Sequence, residues 1–422
     1  MALTARSTRR ACYTGYITQA IVNNLAPLLF VTFQTQYQLT LEQIGRLALT
    51  NFVAQLVVDI LAVKLVDKTG YRIPAVAAHG FCVIGLVGLG VLPGIFPSPY
   101  LGLLAAVILY AVGGGLLEVI ISPIVDSLPS DDKSSAMSLL HSFYSWGQAA
   151  VILLSTLLLR LIGSANWSVL PIFWALLPLC SLILFCRVPL ASTVSTQERT
   201  SMGSLLRSPD FLLALVVMLC AGASEMMMSQ WASLFAEEGL GVTKVLGDLA
   251  GPCLFAVLMG VARTIYGVWG EKIQLHRALT VCGLLCVLCY SLTVLAPLPA
   301  FSLAGCALCG FAVGILWPGT LSICSARFPL GGVAMFGMLA IGGDLGCSLG
   351  PWITGIASQW AQHSPALMQL GQSWNFSASQ TGLRFGLAAG TLFPLVLLGA
   401  LAILSRRSRR RLREAPFAGS AQ

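Results

Sequence analysis

A chain of 422 residues that is 57% hydrophobic and only 9% charged cannot cover a soluble surface, because soluble domains carry about 25% charged residues. The net charge of +8 comes from Lys and Arg spread over short loops and one tail, which excludes a nucleic-acid-binding face. The 13 cysteines lie inside apolar runs, with no Cys-x-x-Cys pair in a loop flanked by metal ligands, so they read as small hydrophobes.

The basic N-terminus, MALTARSTRR, has no small-residue cleavage site and leads straight into a span, so it reads as a retained cytoplasmic tail. Apolar stretches of about 20 residues then recur near 12–36, 44–66, 73–93, 100–125, 135–161, 167–188, 209–235, 243–269, 276–296, 299–326, 331–360 and 381–405. The expected fold class is an all-α membrane protein with twelve transmembrane helices in two six-helix bundles. Three spans are polar for their setting. The first holds Gln19, Asn23, Asn24, Thr32 and Gln34, the fifth His141, Ser142, Tyr144, Ser145 and Gln148, and the seventh Ser224, Glu225, Ser229 and Gln230. Spans of this type line a water-filled cavity, whereas the third, sixth, ninth and twelfth are almost purely apolar and read as outer scaffold.

With both termini cytoplasmic, only Arg46, Arg160, Lys244 and Arg384 of the 24 Lys and Arg fall outside, a strong positive-inside bias. The Ser/Thr-rich stretch PLASTVSTQERTSMGSLLRSP divides the spans six and six. The expected organisation is an amino-terminal bundle (1–188), a cytoplasmic linker with a short interfacial helix (189–208), a carboxy-terminal bundle (209–405) and a basic tail (406–422) anchored on anionic lipid. The two halves show weak symmetry: charged glycine-bearing loops follow spans two (VDKTGYR) and eight (RTIYGVWGEKIQLHR), as in transporters built from internal repeats.

Candidate functional residues follow from the price of charge in hydrocarbon. Glu118 stands in span four behind Gly113, Gly114 and Gly115; it must face a protein interior or a wet cavity, where it can gain and lose a proton. Glu225 in span seven and Asp344 in span eleven, flanked by glycines, are further candidates for proton coupling. Asp59, about 12 Å deeper than Asp67 on one helix, is expected to bond across to the other half as a gating group. His141, at the start of span five, is a second gating candidate. Gln19, Asn23, Asn24, Tyr144, Gln148 and Gln230 would form a neutral hydrogen-bonding wall around a polar solute. Trp146, Trp231 and Trp317 are candidate stacking platforms. Arg263, the one deep basic residue, is placed near the cytoplasmic side, as a gating residue, so anionic substrates are disfavoured.

Twelve spans in two sixes, a long central loop and a short charged loop between spans two and three resemble the major facilitator superfamily. That family's loop motif runs Gly, three residues, Asp, Arg or Lys, one residue, Gly and two positions rich in Arg. Here Asp67, Lys68, Gly70 and Arg72 match it, and Val63 stands in place of the leading glycine. The resemblance implies the major facilitator fold and a cytoplasmic latch, in which Asp67 caps a neighbouring helix end and Lys68 and Arg72 pair with acids such as Asp126 or Asp131. Within the superfamily the chain is most similar to the fucose and related sugar permeases, on Asn23-Asn24 and FVTFQTQYQLTLEQIG, on Glu118, and on ILWPGTLS in span ten. In that branch, carboxylates in spans one and four handle proton and sugar. Glu118 matches the second position, but Asn23 or Asn24 stands at the first, so one titratable group is missing.

The expected function is secondary active transport, by alternating access, of a small polar solute, with a sugar as the first class and protons as the coupling ion. A multidrug or organic-cation/proton antiporter is the alternative, and a transporter-like receptor or scaffold without transport is a third reading. No ATP-binding GxxxxGK(S/T) loop and no HExxH occur, so the chain is not expected to be an enzyme or to hold a cofactor or metal. Its expected partners are the solute and membrane lipid, with no nucleic acid. It is expected to work as a monomer in the cell membrane, the inner one if bacterial.

Overall fold

Each of the twelve apolar stretches forms a helix. Spans 1 to 6 are Ala5–Tyr37, Leu41–Thr69, Arg72–Ile95, Pro99–Ser127, Lys133–Ile162 and Val169–Arg187. Spans 7 to 12 are Pro209–Gly239, Lys244–Tyr266, Leu275–Leu295, Pro299–Cys324, Gly332–His363 and Ala378–Arg407. The structure is a computed structural model describing residues 4–129, 133–190, 202–269, 274–328 and 332–414. The side chains of 63–65, 67–68, 126–127, 133–138, 267, 325–326, 332–334, 336 and 408–414 lie outside that description. No β-strand occurs among the described residues. Two short helices lie between spans: Met202–Leu206 sits in the linker as expected, whereas Pro365–Ser373, between spans 11 and 12, is an element the apolar pattern does not mark.

Eleven spans are long and apolar enough to cross a membrane. Span 11 is as long, at 32 residues, but carries Gly342, Gly343, Asp344, Gly346, Ser348 and Gly350 through its middle. Proline sets the breaks. Spans 6, 10 and 12 break at Ala175, Ile315 and Thr391, each three residues before a proline (Pro178, Pro318, Pro394), and span 1 tightens to a 3-10 turn around Pro27. A proline has no N–H to donate and crowds the carbonyl four residues back. Spans 4, 7 and 10 also begin on proline, where the missing N–H costs nothing.

The alternation of polar and apolar spans becomes a radial order. The most apolar window is 94%, 61%, 72% and 67% buried in spans 1, 4, 7 and 10, against 44%, 39%, 33% and 39% in spans 3, 6, 9 and 12. The outer helices leave Ile84, Ile183, Leu284, Leu288 and Leu395 exposed, the apolar face expected toward lipid. Spans 1 to 6 pack among themselves, as do spans 7 to 12, and the two bundles meet chiefly along span 2 against span 11 and span 5 against span 8.

Glycine permits the closest crossings. A Cβ on Gly346 would lie 1.9 Å from the Leu219 carbonyl oxygen, and one on Gly310 would lie 2.0 Å from that of Phe255. Because both neighbours are backbone, nothing can rotate away. Gly310→Ala and Gly346→Ala are each expected to cost about 1–3 kcal/mol, seen as a lower melting temperature in detergent. Gly399→Ala, where an added Cβ meets nothing within 4 Å, should leave it unchanged.

Candidate functional site

Between the bundles lies a cavity of about 660 Å³, open solvent included. Its wall takes Tyr16, Gln19 and Asn23 from span 1, Leu117 and Glu118 from span 4, Glu225 and Met226 from span 7 and Trp317 from span 10. Phe52, His141, Tyr144, Arg263, Asp344 and Cys347 come from spans 2, 5, 8 and 11. Among the described residues none of spans 3, 6, 9 or 12 contributes, in keeping with the radial order.

One wall carries three acids. Carboxyl oxygens of Asp59, Glu118 and Asp344 lie within 4.8 Å of one another, joining spans 2, 4 and 11 and hence both bundles. Glu118 accepts from Gln19 Nε2 at 3.3 Å, whereas both Asp59 oxygens and Asp344 Oδ2 are buried without a hydrogen-bond partner. The glycine run beside Glu118 explains how the helices come so close. A Cβ on Gly115 would sit 2.8 Å from the Gln55 carbonyl and 3.0 Å from Asp59 Oδ1, and one on Gly113 would sit 2.4 Å from the Ala78 carbonyl. Span 4 is thus clasped by spans 2 and 3 at the level of its carboxylate. In span 11, Gly343 lies against the outer edge of the Trp317 indole, 2.2 Å from an added Cβ, so the indole packs on the helix at the residue next to Asp344.

The cavity also holds an ion pair. Arg263 Nη2 lies 3.2 Å from Glu225 Oε2, both side chains buried; Nη1 donates to Ser145 Oγ at 3.0 Å and Nε to the Gly314 carbonyl at 3.3 Å. That carbonyl is the one Pro318, four residues on, cannot satisfy, so the break in span 10 creates an acceptor that Arg263 fills. The guanidinium therefore stands on the cavity wall. Glu225, expected as an independent acid, is paired.

The expected neutral wall separates into two groups. Gln19, Asn23 and Tyr144 face the cavity. Asn24, Gln148 and Gln230 do not: Asn24 donates to the Ala20 carbonyl and to Tyr144 Oη, Gln148 to Ser229 Oγ at 2.8 Å, and Gln230 to the Asn23 carbonyl at 2.6 Å. Asn51 and Gln55 of span 2, which were not among the expected site residues, both donate to Asn23 Oδ1, and Gln55 Oε1 accepts from Gln19. Of the candidate stacking residues only Trp317 lines the cavity; Trp231 is buried against the Pro351 carbonyl, and Trp146 is 44% exposed beside Gly260.

His141, the second gating candidate, lines the cavity edge-on to Tyr16, with ring centroids 5.2 Å apart. At the loop motif, Gly70 closes span 2 at φ 71°, ψ −175°, a conformation that requires glycine. Arg72 donates to the carbonyls of Phe185, Cys186 and Val188 at the end of span 6; the Asp126 side chain and Asp131, named as its acid partners, lie outside the described residues. The side chains of Asp67 and Lys68 lie outside the described residues.

A second polar cluster closes the end opposite the termini. Lys244 Nζ donates to the Leu28 carbonyl at 2.8 Å and lies 3.2 Å from Asp248 Oδ2. Asp248 also accepts from Thr156 at 2.9 Å and from Ser233. With Gln148–Ser229 and Gln230–Asn23, these bonds tie the bundles together beyond the cavity, and Gly45 and Gly355 bring spans 2 and 11 together at the same end. The i, i+4 spacing of Lys244 and Asp248 at the head of a span was the available signal. Asp248→Ala is expected to loosen this end. Buried Cys253, packed against Ala149 across the interface, should then react several-fold faster with a maleimide in a variant where it is the sole cysteine.

The sequence matches the model of the Major Facilitator Superfamily over residues 12–351. The chain belongs to the major facilitator superfamily. Among solved structures this facilitator is similar to a bacterial homolog of the human lysosomal transporter Spinster. Against its inward-facing, unoccupied conformation the TM-score is 0.75 at 14% identity, covering 95% of this chain and 96% of that one. The inward-facing, occupied conformation gives 0.69 at 15%, covering 94% and 96%. The E. coli fucose:proton symporter in its outward conformation gives 0.61 at 16%, covering 94% and 98%. A search of curated proteins returns no match. The fold, the multi-pass membrane placement and the class of membrane transporter follow from the family; its members bind small solutes and are in general not enzymes.

Proposed function

We propose that this facilitator is a proton-coupled secondary transporter that moves a small solute by alternating access, with Asp59, Glu118 and Asp344 as the coupling site. The observation that carries the reading is the meeting of three carboxyl groups from both bundles within 4.8 Å, with no cationic side chain among them. Such a group favours taking up a proton, and its geometry depends on how the bundles sit, so proton occupancy and bundle position are linked. Asp59 and Asp344 supply the second and third acids beside Glu118, while Glu225 is committed to Arg263.

The cavity lies between the cross-bundle seal and the end that bears the termini. With cytoplasmic termini, as the charge bias favours, this conformation is inward-facing. A monomer in the cell membrane is the simplest working unit for such a site. A sugar as solute is the second reading, favoured by Gln19, Asn23 and Tyr144 on the cavity wall beside Trp317. The test is solute accumulation by the purified protein in liposomes under an imposed pH gradient. A gradient-driven gain supports coupling; accumulation that ignores the gradient, or sodium in its place, overturns it.

A further inference from the structure

Resting on that reading of the carboxyl group, we propose that the cavity takes a protonated amine with an apolar, ring-sized body and exchanges it for protons. Asp59 Oδ1 and Oδ2 and Asp344 Oδ2 are buried acceptors without donors, and buried polar atoms in native proteins are otherwise nearly always satisfied. An ionised carboxylate can only accept. Glu118 and Asp344 face the cavity, with Asp59 behind them, so an ammonium entering from the cavity meets the carboxyl groups of Glu118 and Asp344 first. The one cation on the lining cannot serve, because Arg263 is spent on Glu225, Ser145 and the Gly314 carbonyl.

The body of the ligand is set by the neighbouring surface. Phe52, Met226 and Cys347 pack as one apolar cluster with Trp317, contributed by spans 2, 7, 11 and 10, on the same cavity. The indole packs on span 11 at Gly343, the residue next to Asp344. A carboxylate and an indole on one cavity wall are the residue types that hold an ammonium group. Gln148 and Gln230, the amides that would clasp the hydroxyls of a sugar, are turned to Ser229 and the Asn23 carbonyl. Because ammonium and protons compete for the same oxygens, each excludes the other, and competition at a single alternating site yields exchange. One or more protons leave the carboxyl group as the amine binds.

The test uses the purified full chain in lightly buffered detergent solution with a pH indicator. Benzylammonium, phenethylammonium and tryptammonium are each compared with the corresponding neutral alcohol. The expected result is binding of at least one amine, no competition by its alcohol, and release of protons on binding. This comparison needs no variant. Asp344→Asn should weaken amine binding about tenfold or more, and Trp317→Leu about threefold to thirtyfold. If no amine binds while fucose accumulates under a pH gradient, the substrate class is overturned and the coupling reading stands. If an amine binds with no proton release and Asp344→Asn leaves its affinity unchanged, the inference and the coupling site fail together.

Discussion

Glu118→Gln is expected to abolish accumulation driven by a pH gradient while sparing exchange of labelled for unlabelled solute across a membrane without a gradient. The substitution keeps the shape of the side chain and leaves an amide that can still meet Gln19. It removes one of three acids whose oxygens lie within 4.8 Å of each other. Two unit charges at that distance repel by roughly 3–4 kcal/mol at an effective dielectric near 20. Each proton taken up by the group is thus worth several kcal/mol to its neighbours. A neutral amide cuts that linkage, so the bundles can rock and exchange solute, but no proton need travel with them. The two assays must separate: loss of both would mean a misfolded or closed protein, and retention of both would place coupling elsewhere.

Much of this site is legible in the amino-acid sequence, for reasons that lie in the bilayer. Hydrocarbon allows few polar side chains, so Glu118, Asp344 and Asp59 announce themselves by type alone, and the period of three in span polarity gives the radial order directly. What the sequence lacks is the azimuth of each side chain. Asn23 and Asn24 are neighbours, yet one lines the cavity and the other turns to the Ala20 carbonyl and Tyr144. Gln148 and Gln230 read as solute ligands because they are uncharged amides in polar spans. They bond across the bundle interface instead, since a buried amide is as well satisfied by a neighbouring helix as by a sugar.

Arg263 shows the same limit in its partners. Counted along the helix it lies toward the termini, but a long side chain carries its charge away from its Cα. The gap above Pro318 draws it to the Gly314 carbonyl, and Glu225 waits there. Neither partner is visible from spacing, because spans 7, 8 and 10 meet only in the fold. The consequence for function is large. A lone Glu225 would be a fourth unpartnered acid on the cavity wall, whereas here it is held by Arg263 apart from the three clustered carboxyl groups.

The pairing can be measured. Arg263→Ala is expected to destabilise the protein by about 3–5 kcal/mol, the usual result of leaving one charge of a buried pair without its partner. Most of that cost is the stranded Glu225 carboxylate, so Glu225→Ala introduced together with Arg263→Ala should restore a large part of it. Thermal unfolding in detergent across the four proteins of the cycle yields the interaction term, which for groups in contact should reach about 0.5–3 kcal/mol. Glu225→Gln should leave gradient-driven accumulation coupled, in contrast to Glu118→Gln, because Glu225 is held by Arg263 and is not one of the three clustered carboxyl groups. If the single costs simply add, and Glu225→Gln uncouples transport, then the ion pair is incidental. The proton path would then run through Glu225 and Arg263 and not through the three clustered acids.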